Sequence, residues 1–179
     1  YGKDIDDLSF AQLMEQIALI GIERIRFTTS HPWDFSDELI DVIAKYDNIM
    51  NHIQLPVQSG DSEILRLMGR RYSREQYLTL VEKIKAKIPS ASITTDIIVG
   101  FPNESEQAFE NTLSLCEIVK YDSAFTFIYS PRVGTPAAKM ENNLTEDEKN
   151  KRLYKLNEIV NKYALENNLK YKGKTVSVL

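Results

Sequence analysis

The sequence predicts an α/β protein in which parallel strands are joined by crossover helices, and three observations carry that prediction. Four runs rich in apolar, β-branched and aromatic residues begin about 28 to 40 residues apart, the spacing of βα units feeding a parallel sheet. Most of them are followed by a polar or Gly/Pro corner and then by a helical pattern with a start signal. The last two runs are apolar enough to suit strands covered on both faces.

The elements follow in order. Ser9 and Gln12 open a first helix carrying Leu13, Ile17 and Ile20, and Gly21 stops it. RIRFTT (24–29) reads as the first strand, and Ser36 then starts a helix with Leu39, Ile40, Val42 and Ile43 on one face. HIQLPV (52–57) is the second strand and runs into the polar corner Gln58-Ser59-Gly60. A short helix and turn with Arg66, Arg70, Arg71 and Arg74 reads as a solvated face. Ser73 and Gln76 form a capping-box pattern ahead of Tyr77, Leu80, Val81, Ile84 and Ile88. SITTDIIVG (92–100) is the third strand, followed by a second capping-box pattern at Asn103 and Glu106. SAFTFIYS (123–130) is the fourth. Thr145 and Glu148 open a long charged helix with Leu153, Leu156, Ile159, Val160 and Tyr163 on one face, expected to pack outside the sheet.

The bulk numbers narrow the function classes. The 179 residues are 42% hydrophobic and 27% charged, ordinary for a globular domain with a real core. A net charge of -4 argues against nucleic-acid binding through bulk positive charge and leaves local basic patches open. No apolar run approaches the roughly 20 residues needed to cross a bilayer, and no signal peptide is visible. The one cysteine, Cys116, forms no internal disulfide, suits a reducing cytoplasm, and falls on an apolar helix face as a core residue. The chain starts at Tyr1 without a strand or cap and ends in the alternating Thr175-Val176-Ser177-Val178-Leu179, so both ends look cut and a fragment is expected.

In parallel α/β folds ligands gather at the C-terminal ends of the strands. Those ends hold Thr28, Thr29, Ser30 and His31; Gln58, Ser59 and Gly60; Asp96 with Gly100-Phe101-Pro102; and Tyr129, Ser130, Arg132 and Gly134. Hydroxyls, amides and glycines at four strand ends point to a binding rim, with Gly60 letting the backbone approach closely. Asp96 within an apolar strand is costly unless paired or bound to something. His31-Pro32 also reads as a plain turn, and Gln58-Ser59-Gly60 as an ordinary loop and cap. Metal-ligand spacing, a phosphate-binding glycine loop and a nucleophile elbow are all missing. These residues alone define a ligand-binding piece of an α/β barrel and leave its reaction open.

RIRFTTSHP, HIQLPVQSG, MGRRYSREQY, TTDIIVGFPNES and FTFIYSPRVGTPAA, in this order and spacing, resemble the radical S-adenosylmethionine methylthiotransferases over nearly the whole chain. TTSHP and LPVQSG are closer to the branch acting on isopentenyladenosine in tRNA than to the ribosomal-protein or threonylcarbamoyladenosine branches. The resemblance implies an enzyme that inserts a methylthio group at C2 of that nucleoside, beside the anticodon. It also implies a partial (βα) barrel of the radical SAM type, with residues 1–171 as its C-terminal portion, strands three to six. Residues 172–179 would open a C-terminal RNA-binding β-barrel. The implied cofactors are S-adenosylmethionine and two four-iron, four-sulfur clusters, and the implied partners are the tRNA anticodon stem-loop and the missing N-terminal part of the same enzyme.

By the same resemblance Gln58 and Ser59 meet the ribose or methionyl end of S-adenosylmethionine, and Asp96 and Gly100 its ribose and adenine. Arg70 matches a family arginine whose fork suits a carboxylate or phosphate. Ser30, His31, Tyr129 and Arg132 fall to the substrate nucleotide, where stacking and guanidinium contacts suit a splayed-out base. The chain departs from the family in lacking both cysteine sets, so no metal ligand or catalytic residue is assigned and the chain alone is expected to be inactive. Two other readings compete: a stand-alone RNA-binding module using the basic MGRRYSR turn and the lysine-rich last helix, and an unrelated barrel enzyme such as an aldolase or isomerase.

Overall fold

Residues 8–28 and 30–176 are described by a computed structural model. The helices are α1 (Phe10–Leu19), α2 (Asp37–Lys45), α3 (Ser62–Leu67), α4 (Arg74–Lys87), α5 (Glu106–Val119) and α6 (Glu146–Leu169), and the strands β1 (His52–Gln54), β2 (Ser92–Val99) and β3 (Ser123–Ile128). The strands form one parallel sheet in the order β1-β2-β3, with α3 and α4 crossing between the first pair and α5 between the second. Register is fixed by His52 opposite Ser92 and by Asp96 opposite Phe125.

Local signals set most helix ends. Ser9 with Gln12, Ser73 with Gln76 and Thr145 with Glu148 each form a reciprocal capping box, and Ser36 caps α2. The box expected at Asn103 and Glu106 is not there. Asn103 sits at φ 67° in a turn closed by Glu104 N–H on Phe101 O, and α5 is capped two residues later by Ser105.

Two further expectations about the sheet are corrected. The run 24–29, expected as a full strand, makes a single parallel bridge from Ile25 to Ile49. Among the described residues it is paired from one side only, by Ile25 N–H on Asn48 O, Met50 N–H on Ile25 O and Ser30 N–H on Gln54 O, so no continuous ladder forms; Thr29 lies outside the described residues. Among the described residues, the strands are also not covered on both faces. Ile93, Thr95, Ile97 and Val99 are buried under the helices, while the alternate residues Thr94, Asp96 and Ile98 are half-buried on the other face, beside exposed Phe125 and Phe127. Asp96 therefore sits on an open face and not inside the core, because the period of two puts it there.

Helix α6 lies along β3 and α5, as expected of a helix outside the sheet. Leu156 and Val160 enter the core, and Thr126 Oγ1 donates to Asn157 Oδ1 at 2.6 Å. The alternating strand expected at the C-terminus falls partly on residues 177–179, outside the described residues, and residues 174–176 carry no strand.

Candidate functional site

Strand β1 ends early because Pro56 lacks the N–H a ladder needs. Leu55 N–H still reaches Thr94 O at 2.8 Å, and pairing resumes at Gln58, whose N–H donates to Asp96 O and whose carbonyl accepts from Ile98 N–H, both at 2.9 Å. Gln58 takes φ 70°, a left-handed conformation rare for a residue with a side chain. Buried tyrosines secure the bulge: Tyr72 Oη donates to the Pro56 and Val57 carbonyls, and Tyr77 Oη to Leu55 O. Burial pushes the Tyr72 phenol up to about 12, so it remains a hydrogen-bond donor at neutral pH.

The next three residues turn into the protein. Ser59 is fully buried, its hydroxyl 3.5 Å from Thr112 Oγ1 and accepting from Asp61 N–H. A Cβ on Gly60 would stand 2.5 Å from Thr112 Cα and 2.7 Å from Asn111 O. The close approach that glycine permits here is to the backbone of α5. Arg74 completes the junction from α4, donating to Gly60 O, Asn111 O and Ser114 Oγ, and so does not belong to a solvated face.

Beyond this corner, α3 ends in a turn at Gly69, and Arg70 N–H donates to Leu65 O at 2.9 Å. That turn brings Arg70 to a cleft of about 810 Å³ at the C-terminal ends of β2 and β3. Five of the nine residues assigned above to cofactor or substrate share its walls: Gln58, Arg70, Asp96, Tyr129 and Arg132. The rest of the lining includes the apolar residues Leu67, Met68, Ile98 and Phe101, with Phe101 edge-on to Tyr129 at 4.9 Å. Arg70 Nε and Tyr129 Oη are buried without a hydrogen-bond partner, two of three such atoms among the described residues. Unpaired buried polar atoms are rare and costly, and two of them stand at this one cleft.

The other four lie elsewhere. Ser59 stands behind the cleft wall, and Gly100, at φ 73°, packs on Lys149 and donates its N–H to Glu104 Oε2. Ser30 hydrogen-bonds to β1 through its backbone, while the His31 ring meets Tyr72 edge-on at 5.8 Å and accepts from Trp33 N–H. The apolar lining was missed as a unit in the sequence; the alternation of Ile98 and Phe127 with helix-facing neighbours is the signal that marks part of it.

The Radical SAM superfamily profile matches residues 1–116, and the chain belongs to that superfamily. Its fold agrees: coproporphyrinogen III oxidase from Escherichia coli, described as a radical SAM enzyme, superposes with a TM-score of 0.63 over 78% of this chain and 32% of its own, at 19% identity. Among sequences, the whole chain is 58% identical to the tRNA-2-methylthio-N(6)-dimethylallyladenosine synthase of Bacillus cytotoxicus, covering 36% of that protein. It is 57% identical to the synthase of the same name from Halalkalibacterium halodurans, covering 34%. The chain thus spans about a third of the length of these relatives. The family uses S-adenosylmethionine with an iron–sulfur cluster. Among the described residues no group of three or more His, Cys, Asp or Glu side chains is arranged to hold a metal. Cys116 is buried in the core, where desolvation pushes its thiol up to about 12, so the residues present do not fit a cluster.

Proposed function

We propose that this chain is the S-adenosylmethionine- and substrate-facing wall of a radical SAM tRNA methylthiotransferase, acting in the cytoplasm on isopentenyladenosine beside the anticodon. The observation that carries this reading is the meeting of Gln58, Arg70, Asp96, Tyr129 and Arg132 around one cleft whose buried Arg70 Nε and Tyr129 Oη are unpaired. The 57–58% identity to the named tRNA synthases supports the substrate.

The chemistry of the donor set fits S-adenosylmethionine. The Arg70 fork suits the amino-acid carboxylate, the Asp96 carboxylate accepts from ribose hydroxyls, and the Gln58 amide bonds either end. Tyr129 and Arg132 are assigned to the substrate base and its phosphate. Ser30 and His31 are assigned to RNA at the outer side of Tyr72. Ser59 and Gly100 support the wall from behind. When bound, S-adenosylmethionine and two iron–sulfur clusters held by other parts of the longer protein supply the one-electron chemistry. This chain's residues bind, orient and exclude water.

The test is Asp96→Ala in the full-length protein. Losing a hydrogen bond to a charged group costs about 1.5–3 kcal/mol, so cofactor affinity and 5′-deoxyadenosine formation are expected to fall about tenfold or more. Affinity for the anticodon stem-loop, held mainly through phosphates, and melting temperature stay unchanged. A lowered melting temperature with unaltered cofactor cleavage would overturn the assignment.

A further inference from the structure

Helix α6 carries a buried arginine whose guanidinium is paired within the protein, to one buried and one exposed carboxylate. Arg152 is 8% exposed; its Nη1 donates to Glu104 Oε2 at 2.7 Å and to Glu104 O at 2.8 Å, and its Nη2 to Glu106 Oε2 at 3.2 Å. The guanidinium also stacks over the Phe109 ring at 5.3 Å. Glu104, 3% exposed, uses the same Oε2 to accept the Gly100 N–H at 2.8 Å. Gly100 O in turn accepts from Asn142 Nδ2 at 2.9 Å, and a Cβ at Gly100 would stand 2.7 Å from Lys149 Cγ. The turn 100–104 is therefore fixed on three sides by α6 and the segment before it. That turn presents Phe101 to the cleft and holds it edge-on to Tyr129.

From this chain of contacts we infer that Arg152 is a positioning residue for the S-adenosylmethionine cleft, acting through Glu104 and the 100–104 turn although it does not line the cleft. The inference rests on the functional reading above. Without Arg152, a buried carboxylate is left without its cation, an arrangement a protein tolerates poorly. Glu104 must then turn toward water or take up a proton, and either change weakens its hold on the Gly100 N–H. The cleft wall at Phe101 loosens as a result. Burial already pushes the Glu104 carboxyl up, against the opposing pull of Arg152 and the Gly100 N–H.

The experiment uses the full-length protein with Arg152→Met, Glu104→Gln and the double variant. S-adenosylmethionine affinity is measured by calorimetry well below each melting temperature, with hydrogen exchange of the peptide covering residues 99–104. Arg152→Met is expected to lower cofactor affinity about tenfold and to speed exchange in that peptide, with β1 and β2 peptides unchanged. The double variant removes the unpaired charge yet keeps an acceptor for Gly100, so it is expected to recover most of the affinity, a non-additive cycle. Wild-type affinity in Arg152→Met, or a double variant no better than the sum of the singles, overturns the inference. If the wild-type protein itself fails to bind S-adenosylmethionine, the functional reading falls, and the exchange cycle alone still decides whether Arg152 holds the turn.

Discussion

The Thr95 hydroxyl takes over the ladder beside Val57 where Pro56 interrupts it. Thr95 Oγ1 accepts from Val57 N–H at 2.9 Å and donates to Leu55 O at 3.0 Å. Thr95→Val keeps the shape and strands a buried N–H, which costs about 1–3 kcal/mol. Stability by chemical denaturation should fall by that amount, and exchange at the Val57 amide should quicken. Thr95→Ser, which keeps the hydroxyl, should restore both.

Arg70 makes an opposite prediction for the empty and the filled protein. Its Nε is buried without a partner, so Arg70→Met removes an unsatisfied donor and should leave the ligand-free protein as stable as before, or more so. In the full-length protein, the stabilisation expected on adding S-adenosylmethionine, a mass-action effect, should disappear. Thermal melts of both proteins with and without the cofactor check this pair of signs.

His52 gives the pH dependence. Its pKa is lowered, first by burial and then by the neighbouring Arg26, whose Nη2 lies 3.1 Å from His52 Nδ1. The unfolded chain therefore takes up a proton at a higher pH than the folded one, and stability must fall as pH drops through the unfolded value of about 6.5 toward the lowered folded value. Melting temperatures from pH 8 to pH 5 should show this loss, and His52→Gln should flatten that part of the curve.

Cys116 should be inert in the folded protein. Its thiol is buried and pushed up to about 12 by desolvation, so almost no thiolate exists at neutral pH. Alkylation by iodoacetamide should follow the unfolding rate and become rapid only in denaturant, as mass spectrometry would show.

What the sequence makes legible is what a short stretch decides by itself. A capping box needs four residues, and the three at Ser9, Ser73 and Thr145 are all present. The same pattern misleads at Asn103, because Ser105 competes two residues on and the positive φ of Asn103 belongs to a turn shaped by Glu104. The rim residues Gln58, Asp96, Tyr129 and Arg132 are legible because strand ends and topology place them. Ser59, Gly60 and Arg74 are not, since their partners lie on α5, about 40 to 50 residues away in the chain. Strand coverage is misread for the same reason: a run of β-branched residues looks alike whether one face or two is covered, and only the assembled sheet shows Asp96 and Phe125 on the open side.

Gln58 has one more consequence. Its N–H and carbonyl are both committed to β2, and its left-handed φ is held by that pairing, so its backbone is a fixed socket and only the side chain is free to vary. Residues that accept the left-handed region, asparagine, aspartate and glycine, can be plugged into position 58 without disturbing the sheet, whereas valine or isoleucine cannot. Position 58 is thus a point where the cleft's chemistry can be exchanged one functional group at a time on an unchanged frame, a natural starting place for redesigning what the cleft accepts.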